Sequence, residues 1–249
     1  MKCRFCSTDL KDVFVDLGTA PPSNSFLSNE QLNLPEVYYP LKVMVCSSCL
    51  LVQLDEYKSN KEIFNEEYVY FSSYSSSWLK HVKQYVDKIA DRFNLNHNSQ
   101  VIEIASNDGY LLQYFLEKKI PCLGVEPTSN TAKIARTKGV ETIVDFFNVD
   151  LAEKLVSNNR KADLIIGNNV LAHDPKLNEL VGGLKIALKE DGIITIEFPH
   201  LLNLIEQNQF DTIYHEHFSY FSLYSVLRIF NAHGLDIFDV DEITTHGGS

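Results

Sequence analysis

The run Val101-Ile102-Glu103-Ile104-Ala105-Ser106-Asn107-Asp108-Gly109 limits this chain more than any other stretch. It reads as a buried strand ending in a tight polar turn, and Tyr110-Leu111-Leu112-Gln113-Tyr114-Phe115-Leu116 follows with apolar spacing that suits a packed helix. Such a unit brings backbone N–H groups and a helix N-terminus to the carboxyl end of a parallel strand, where doubly wound sheets bind nucleotide-like ligands. Gly109 permits close backbone approach, and Glu103 and Asp108 supply carboxylates. Carboxylates match a pyrophosphate poorly but suit a ligand carrying an ammonium and a sulfonium, which points to S-adenosylmethionine.

The chain after this turn keeps the same rhythm. Strands are expected at Cys122–Glu126, Thr142–Val144, Asp163–Gly167 and Gly192–Phe198, with helices near 129–138, 149–157 and 176–189. Apolar strands separated by helices predict a parallel sheet covered on both faces. Glu126 lies 17 residues past Gly109, close to where an acid that grips ribose hydroxyls belongs. A nicotinamide dinucleotide is the competing ligand, but the turn is not Gly-x-Gly-x-x-Gly.

Two identical spacings, Cys3-x-x-Cys6 and Cys46-x-x-Cys49, can present four thiolates tetrahedrally to one zinc, a closed sphere with no open position for catalysis. Disulfides are the weaker alternative in a reducing compartment. Val13–Gly18, Tyr38–Val45 and Leu50–Leu54 read as extended segments of a small β module, with Pro21-Pro22-Ser23-Asn24-Ser25 as a rigid loop. The module has too little apolar material for a core of its own and depends on its metal. Cys122, at an apolar strand entry, reads as a core thiol.

A net charge of −11 argues against a nucleic-acid binder, and the absence of a long apolar run or signal-like start argues against a membrane segment, so a cytoplasmic chain is expected. Ahead of the sheet, Tyr68-Val69-Tyr70-Phe71-Ser72-Ser73 precedes a helix with Trp78, Leu79, Val82, Val86, Ile89, Ala90 and Phe93 on one face. That aromatic segment is either a lid or a capping loop.

Past the fourth strand, Asn168-Asn169-Val170-Leu171-Ala172-His173 brings amides and a histidine to the sheet's carboxyl edge. Tyr214-His215-Glu216-His217 then concentrates titratable groups after the fifth strand. His-x-His lacks an evident third ligand, so a base oriented by its neighbours suits the pattern better than a second metal. Tyr214 is placed to donate to a developing oxyanion.

Together with Gly124-Val125-Glu126-Pro127 and His246-Gly247-Gly248-Ser249, these motifs resemble the zinc-containing, S-adenosylmethionine-dependent sugar C-methyltransferases, which act on nucleotide-linked keto-deoxysugars. The resemblance covers the whole chain. It implies a Rossmann-like class I methyltransferase sheet with a small N-terminal zinc module, divided as 1–58 zinc-binding, 59–96 helical lid and linker, and 97–249 donor-binding. By position it implies His217 as the base, supported by Tyr214, Glu216 and His173. Donor-site positions would be Glu103, Ala105, Asn107, Asp108, Gly109, Glu126, Pro127, Asn168 and Asn169, with Tyr68, Tyr70 and Ser72 in the lid. Cys3, Cys6, Cys46 and Cys49 would hold structural zinc.

One departure stands out. Chains of that family continue past His-Gly-Gly-Ser into a last antiparallel strand and a further α/β domain that helps bind the nucleotide sugar, whereas this sequence stops at Ser249. A sixth strand near Leu235–Val240 is expected without its usual neighbour. The expectation is a gene fragment, a shortened chain, or half of a split enzyme with a separately encoded C-terminal partner, in which donor binding outlasts turnover.

Overall fold

The computed structural model describes residues 1–66 and 68–249. In chain order the strands are β1 (Asp12–Ala20), β2 (Tyr39–Val45), β3 (Val52–Leu54), β4 (Val101–Ile104), β5 (Cys122–Val125), β6 (Thr142–Ile143), β7 (Ala162–Asn168), β8 (Leu188–Glu197) and β9 (Ser219–Tyr220). The helices are α1 (Asn60–Ile63), α2 (Ser76–Arg92), α3 (Leu112–Glu117), α4 (Ser129–Thr137), α5 (Val149–Ser157), α6 (Leu177–Ala187), α7 (Leu201–Glu206) and α8 (Leu223–Ala232). They form two compact units. One gathers Met1–Ile63, Asn169–Val181 and Glu197–Ser249, and the other Phe64–Asn168 and Gly182–Ile196.

The second unit carries a five-stranded sheet in the order β6-β5-β4-β7-β8, with β4 pairing parallel to β5 and β7, and β5 parallel to β6. All four residues of β4 are buried, as a central strand covered on both faces must be. Chain order runs outward from β4 and then returns to its other side at β7, so the reversal that opens a ligand crevice falls at the carboxyl end of β4. Helix α2 packs Trp78, Val82, Val86 and Ile89 into the core with Leu111, Leu112 and Phe115. Its start is fixed by Ser75, whose hydroxyl accepts the Trp78 N–H at 3.2 Å. Helix α6 ends at Ala187 and β8 begins at Leu188, so the strand takes the last residues assigned above to the helix.

At Gly124 of β5 an added Cβ would lie 2.3 Å from Ser106 Oγ and 2.9 Å from Ser106 Cβ. Ser106 is fully buried and has little room to yield. Gly124→Ala is therefore expected to destabilise the unit by about 1–3 kcal/mol and to displace the turn after β4. Thermal unfolding, with donor-analogue affinity measured in parallel, checks this.

The first unit is built on an antiparallel sheet, β1-β2-β3-β9. Its fourth strand comes from far along the chain: Val52 pairs with Tyr220 and Gln53 with Ser219. Leu41, Val43, Val52 and Leu54 share a core with Leu201, Ile213 and Tyr220, so apolar residues from the carboxyl-terminal part supply what the amino-terminal module lacks. Helix α8 starts at a Ser222–Ser225 capping box and buries Val226, Ile229 and Phe230.

The strand expected at Leu235–Val240 is absent. The segment has no strand structure, and Phe238 and Val240 are exposed. Apolar alternation makes a strand only where backbone partners exist, and no ladder pairs with it among the described residues. No helix among the described residues is long and apolar enough to cross a membrane.

Candidate functional site

Two clusters carry the chemistry, one in each unit. In the sheet unit the turn after β4 holds three left-handed residues in alternation, Ala105 (φ 54°), Asn107 (φ 48°) and Gly109 (φ 73°). Asn and Gly take this conformation readily, whereas Ala105 does so at a cost of about 1–2 kcal/mol. The shape is enforced by Ser106 N–H donating to Val125 O at 3.2 Å and Gly109 N–H to Ser106 O at 3.0 Å.

Asn107 also binds the aromatic segment. Its Oδ1 accepts the Ser72 N–H at 2.9 Å, and its Nδ2 donates to Tyr70 O at 3.1 Å. Asn130 Nδ2 donates to Tyr68 O at 2.8 Å. The Tyr68–Ser72 segment is thus fastened over the turn by side-chain amides, with the Tyr70 ring partly exposed.

The carboxylates differ in their surroundings. Glu126 accepts the Asn107 N–H and the Thr128 N–H, both at 2.8 Å, so it ties the β4 and β5 turns together. Burial nevertheless lifts its pKa. Asp108 is bonded to the Ser73 hydroxyl and paired with Lys138 at 3.3 Å, and its charge is already met by a cation. Glu103 is fully buried in β4 and neither oxygen makes a well-formed hydrogen bond. Burial pushes its pKa well up, against the pull of the Tyr110 hydroxyl. Ser106 Oγ and Asp108 Oδ1 are likewise buried without a hydrogen-bond partner among the described residues. Buried polar atoms in this state are costly, and a cationic, hydroxyl-bearing ligand is the kind that would satisfy them. Pro127 and Asn168 lie half-buried at the ends of β5 and β7, the same carboxyl edge.

In the other unit, His217 sits between two partners. Its Nδ1 lies 2.8 Å from Thr212 O, which only accepts, so Nδ1 carries the proton. Its Nε2 lies 2.8 Å from Tyr214 Oη and receives the phenol's hydrogen. The His173 ring packs edge-on with centroids 4.7 Å apart, and the Tyr214 ring lies at 4.1 Å. Burial, then the neighbouring His173, drives the His217 pKa down to about 3, and burial drives His173 down to about 4. Both imidazoles are therefore neutral near pH 7.

Unfolded histidine titrates near 6.5, so between that pH and the folded values the unfolded chain binds more protons. The stability from these two rings is complete above about pH 6.5 and is lost as pH falls toward about 4 and 3. Glu103 and Glu126, with raised values, act in the opposite sense, losing their contribution as pH rises. His173→Gln is expected to flatten the acid limb of stability relative to the unaltered chain, measured by denaturant melts from about pH 6.5 to pH 4.

Around the His217 ring lie further groups. Glu216 is buried and accepts from Ser23 Oγ at 3.1 Å and Asn24 Nδ2 at 2.9 Å, on the loop between β1 and β2, with burial raising its pKa. His215 turns instead to Pro40 O, 3.2 Å from its Nε2, with Tyr39 and Tyr57 edge-on, and serves packing. Asn169 donates its N–H to Glu197 O at 2.8 Å, and its Nδ2 lies 3.5 Å from His246 Nδ1.

The four cysteines converge. Their sulfurs all lie within 4.8 Å of one another, with Cys3–Cys49 and Cys6–Cys46 at 3.5 Å. A tetrahedral zinc with bonds of about 2.3 Å needs sulfur edges of about 3.8 Å, so the donor set fits. The knuckles repeat each other: Ser7 N–H donates to Cys3 O and Leu50 N–H to Cys46 O, both at 2.9 Å. Each of these donors is left-handed with φ 60°. The CxxC spacing thus folds the same way twice.

Sequence reasoning named Asn107, Glu126, Tyr214 and His217 but gave no role to Thr212, Lys138 or Ser73. Thr212 acts through its carbonyl, which no side-chain pattern reveals. Lys138 and Ser73 meet Asp108 only in three dimensions.

Comparison with known proteins fits this geometry. Residues 3–64 match the family described as "Putative zinc binding domain", and residues 78–240 match the family described as "Methyltransferase domain". The chain is 36% identical over 248 residues to C-methyltransferase NovU of Streptomyces niveus, an alignment covering all of this chain and 59% of that protein's length. Among solved structures, a SAM-dependent methyltransferase from Archaeoglobus fulgidus aligns with TM-score 0.51 and 22% identity, covering 63% of this chain and 68% of the other. Magnesium protoporphyrin IX methyltransferase of Synechocystis PCC 6803, solved with bound SAH, aligns with TM-score 0.53 and 16% identity, covering 68% and 78%. At these identities the structural likeness is one of fold. With residues 78–240, more than half of its length, matched to that domain, the chain belongs to the methyltransferase-domain family.

Proposed function

We propose that the chain transfers a methyl group to a carbon next to the ketone of a nucleotide-linked keto-deoxysugar. The observation that carries this reading is the His217 pair of hydrogen bonds: Nδ1–H fixed on Thr212 O, and a basic Nε2 held by the Tyr214 hydroxyl. A carbon acid needs a neutral base and a donor for the oxygen that gains charge, and these two groups are in contact. The name of the Streptomyces relative supports transfer to carbon, and the resemblance of the motifs supports the sugar.

When bound at the β4 turn, S-adenosylmethionine supplies an electrophilic methyl. Glu103, Asn107, Asp108 and Glu126 orient it, with the Tyr68–Ser72 segment excluding water. Tyr214 gives up its bond to Nε2 and donates to the substrate ketone. His217 Nε2 would then take the α-proton, the C–H electron pair passing into an enolate, and the bound donor would supply the methyl that this carbon takes up. His217 returns its proton to solvent. His173 keeps the pocket beside the base uncharged, and Glu216 braces the 23–24 loop. Cys3, Cys6, Cys46 and Cys49 would hold zinc, which would supply a closed cross-link and no reactive position.

Calorimetric titration with S-adenosylhomocysteine, followed by a methyl-transfer assay with a keto-deoxysugar nucleotide, tests the reading. Saturable donor binding and a product heavier by one methylene are expected. Donor binding with no product, alone or with a separately encoded carboxyl-terminal chain, would reduce the protein to a donor-binding module. No donor binding would overturn the reading altogether.

A further inference from the structure

We propose that Gln53 and Arg4 are positioning residues that couple the four-cysteine cluster to the segment just ahead of β9 that carries His217. The proposal rests on the reading of His217 as the base. Gln53 is fully buried in β3, and a buried primary amide is tolerated only where both ends are met. Here Nε2 donates to Cys3 Sγ and to Leu51 O, each at 3.3 Å, and Oε1 accepts the Arg4 N–H at 2.9 Å. One side chain thus grips the first knuckle from both its sulfur and its backbone.

The connection continues from β3 to the base. Gln53 is in register with Ser219 of β9, and Leu54 N–H donates to Phe218 O at 3.0 Å. Phe218, which follows His217, donates its own N–H to Ala172 O at 2.7 Å, next to His173. Arg4 adds a second tie, with Nη2 donating to Leu54 O and its guanidinium 5.5 Å from the centroid of the fully buried Phe218 ring. Asn178 Nδ2 closes the loop by donating to Phe5 O at 2.9 Å. Since β9 has two residues and pairs only with β3 among the described strands, the backbone on either side of the two histidines is referenced to the knuckle. A metal that locks the knuckle locks Gln53, and a knuckle without one leaves the amide without fixed partners. The cluster therefore sets the placement of the base as well as the stability of the module.

The test uses the full chain, loaded with zinc, carrying Gln53→Leu, which keeps the bulk and removes all three hydrogen bonds. The variant is expected to retain one zinc and unchanged donor affinity. Amide exchange at Leu54 and Phe218 should accelerate roughly 10-fold or more. The ¹⁵N signals of the His217 ring should move, and kcat should fall roughly 10-fold with KM for the methyl donor unchanged. Stripping zinc from the unaltered chain should move the same ring signals. Zinc-loaded Gln53→Leu with the His217 signals and Phe218 exchange of the unaltered chain would overturn the coupling. Should Gln53→Leu fail to fold, Arg4→Met, which keeps the aliphatic stem, is read in the same way. The ring and exchange signals need no turnover. Full activity in His217→Ala would thus refute the base assignment separately and leave the coupling measurable.

Discussion

Replacing Cys46 by Ser is expected to unfold the β1–β3 sheet and with it the base cluster. The sheet's own apolar residues are few, and its core borrows Leu201, Ile213 and Tyr220, so a metal held by the four cysteines would be the main local restraint. Structural zinc contributes about 10–16 kcal/mol in small metal-dependent modules, comparable to the whole stability of a typical domain at about 5–15 kcal/mol. Loss of one thiolate leaves the knuckle of Cys46 and Leu50 without its anchor. Metal content and amide exchange at Val43 and Leu54 measure the outcome, expected as loss of zinc and of protection together. Cys122→Ser, at a buried thiol in the other unit, should retain both. Full protection in metal-free Cys46→Ser would show that the sheet stands without its cluster.

The second large effect is on turnover. His217→Ala is expected to lower kcat by a factor of about 10²–10⁴, the range for a general base, while leaving S-adenosylhomocysteine affinity within about twofold, because the Glu103–Glu126 cluster is assembled within the other unit. Tyr214→Phe should cost less, since on the proposed mechanism the phenol stabilises the oxyanion and does not take the proton. The low pKa of His217 gives a further signature: kcat should show no loss from protonation of the base as pH falls from about 8 to 5. Equal loss of donor binding and turnover in His217→Ala would indicate a structural role for the ring.

How much of this was readable beforehand follows from how local each feature is. The β4 turn and the sheet after it were legible because each strand is a short apolar run and each helix has its own periodicity, from Val101 to Glu197. The knuckles were legible because the spacing Cys-x-x-Cys is itself the geometry. Strand β9 was not: Ser219–Tyr220 becomes a strand only because Val52 and Gln53 offer it a ladder. Leu235–Val240 shows the converse, a strand-like pattern without partners. In the site, titratable residues were visible as types, but their states were not. Nothing in the sequence says that Asp108 meets Lys138 while the Glu103 oxygens find no hydrogen-bond partner among the described residues, or that the Thr212 carbonyl chooses the tautomer of His217.

The central claim is that His217 makes a carbanion for a methyl donor held at the β4 turn. Deuterium incorporation tests it most directly, by incubating the protein in D₂O with a keto-deoxysugar nucleotide and S-adenosylhomocysteine, which fills the donor site without transferring. The account predicts deuterium at the carbon beside the ketone with the unaltered chain and none with His217→Ala. Incorporation that persists in His217→Ala would contradict it.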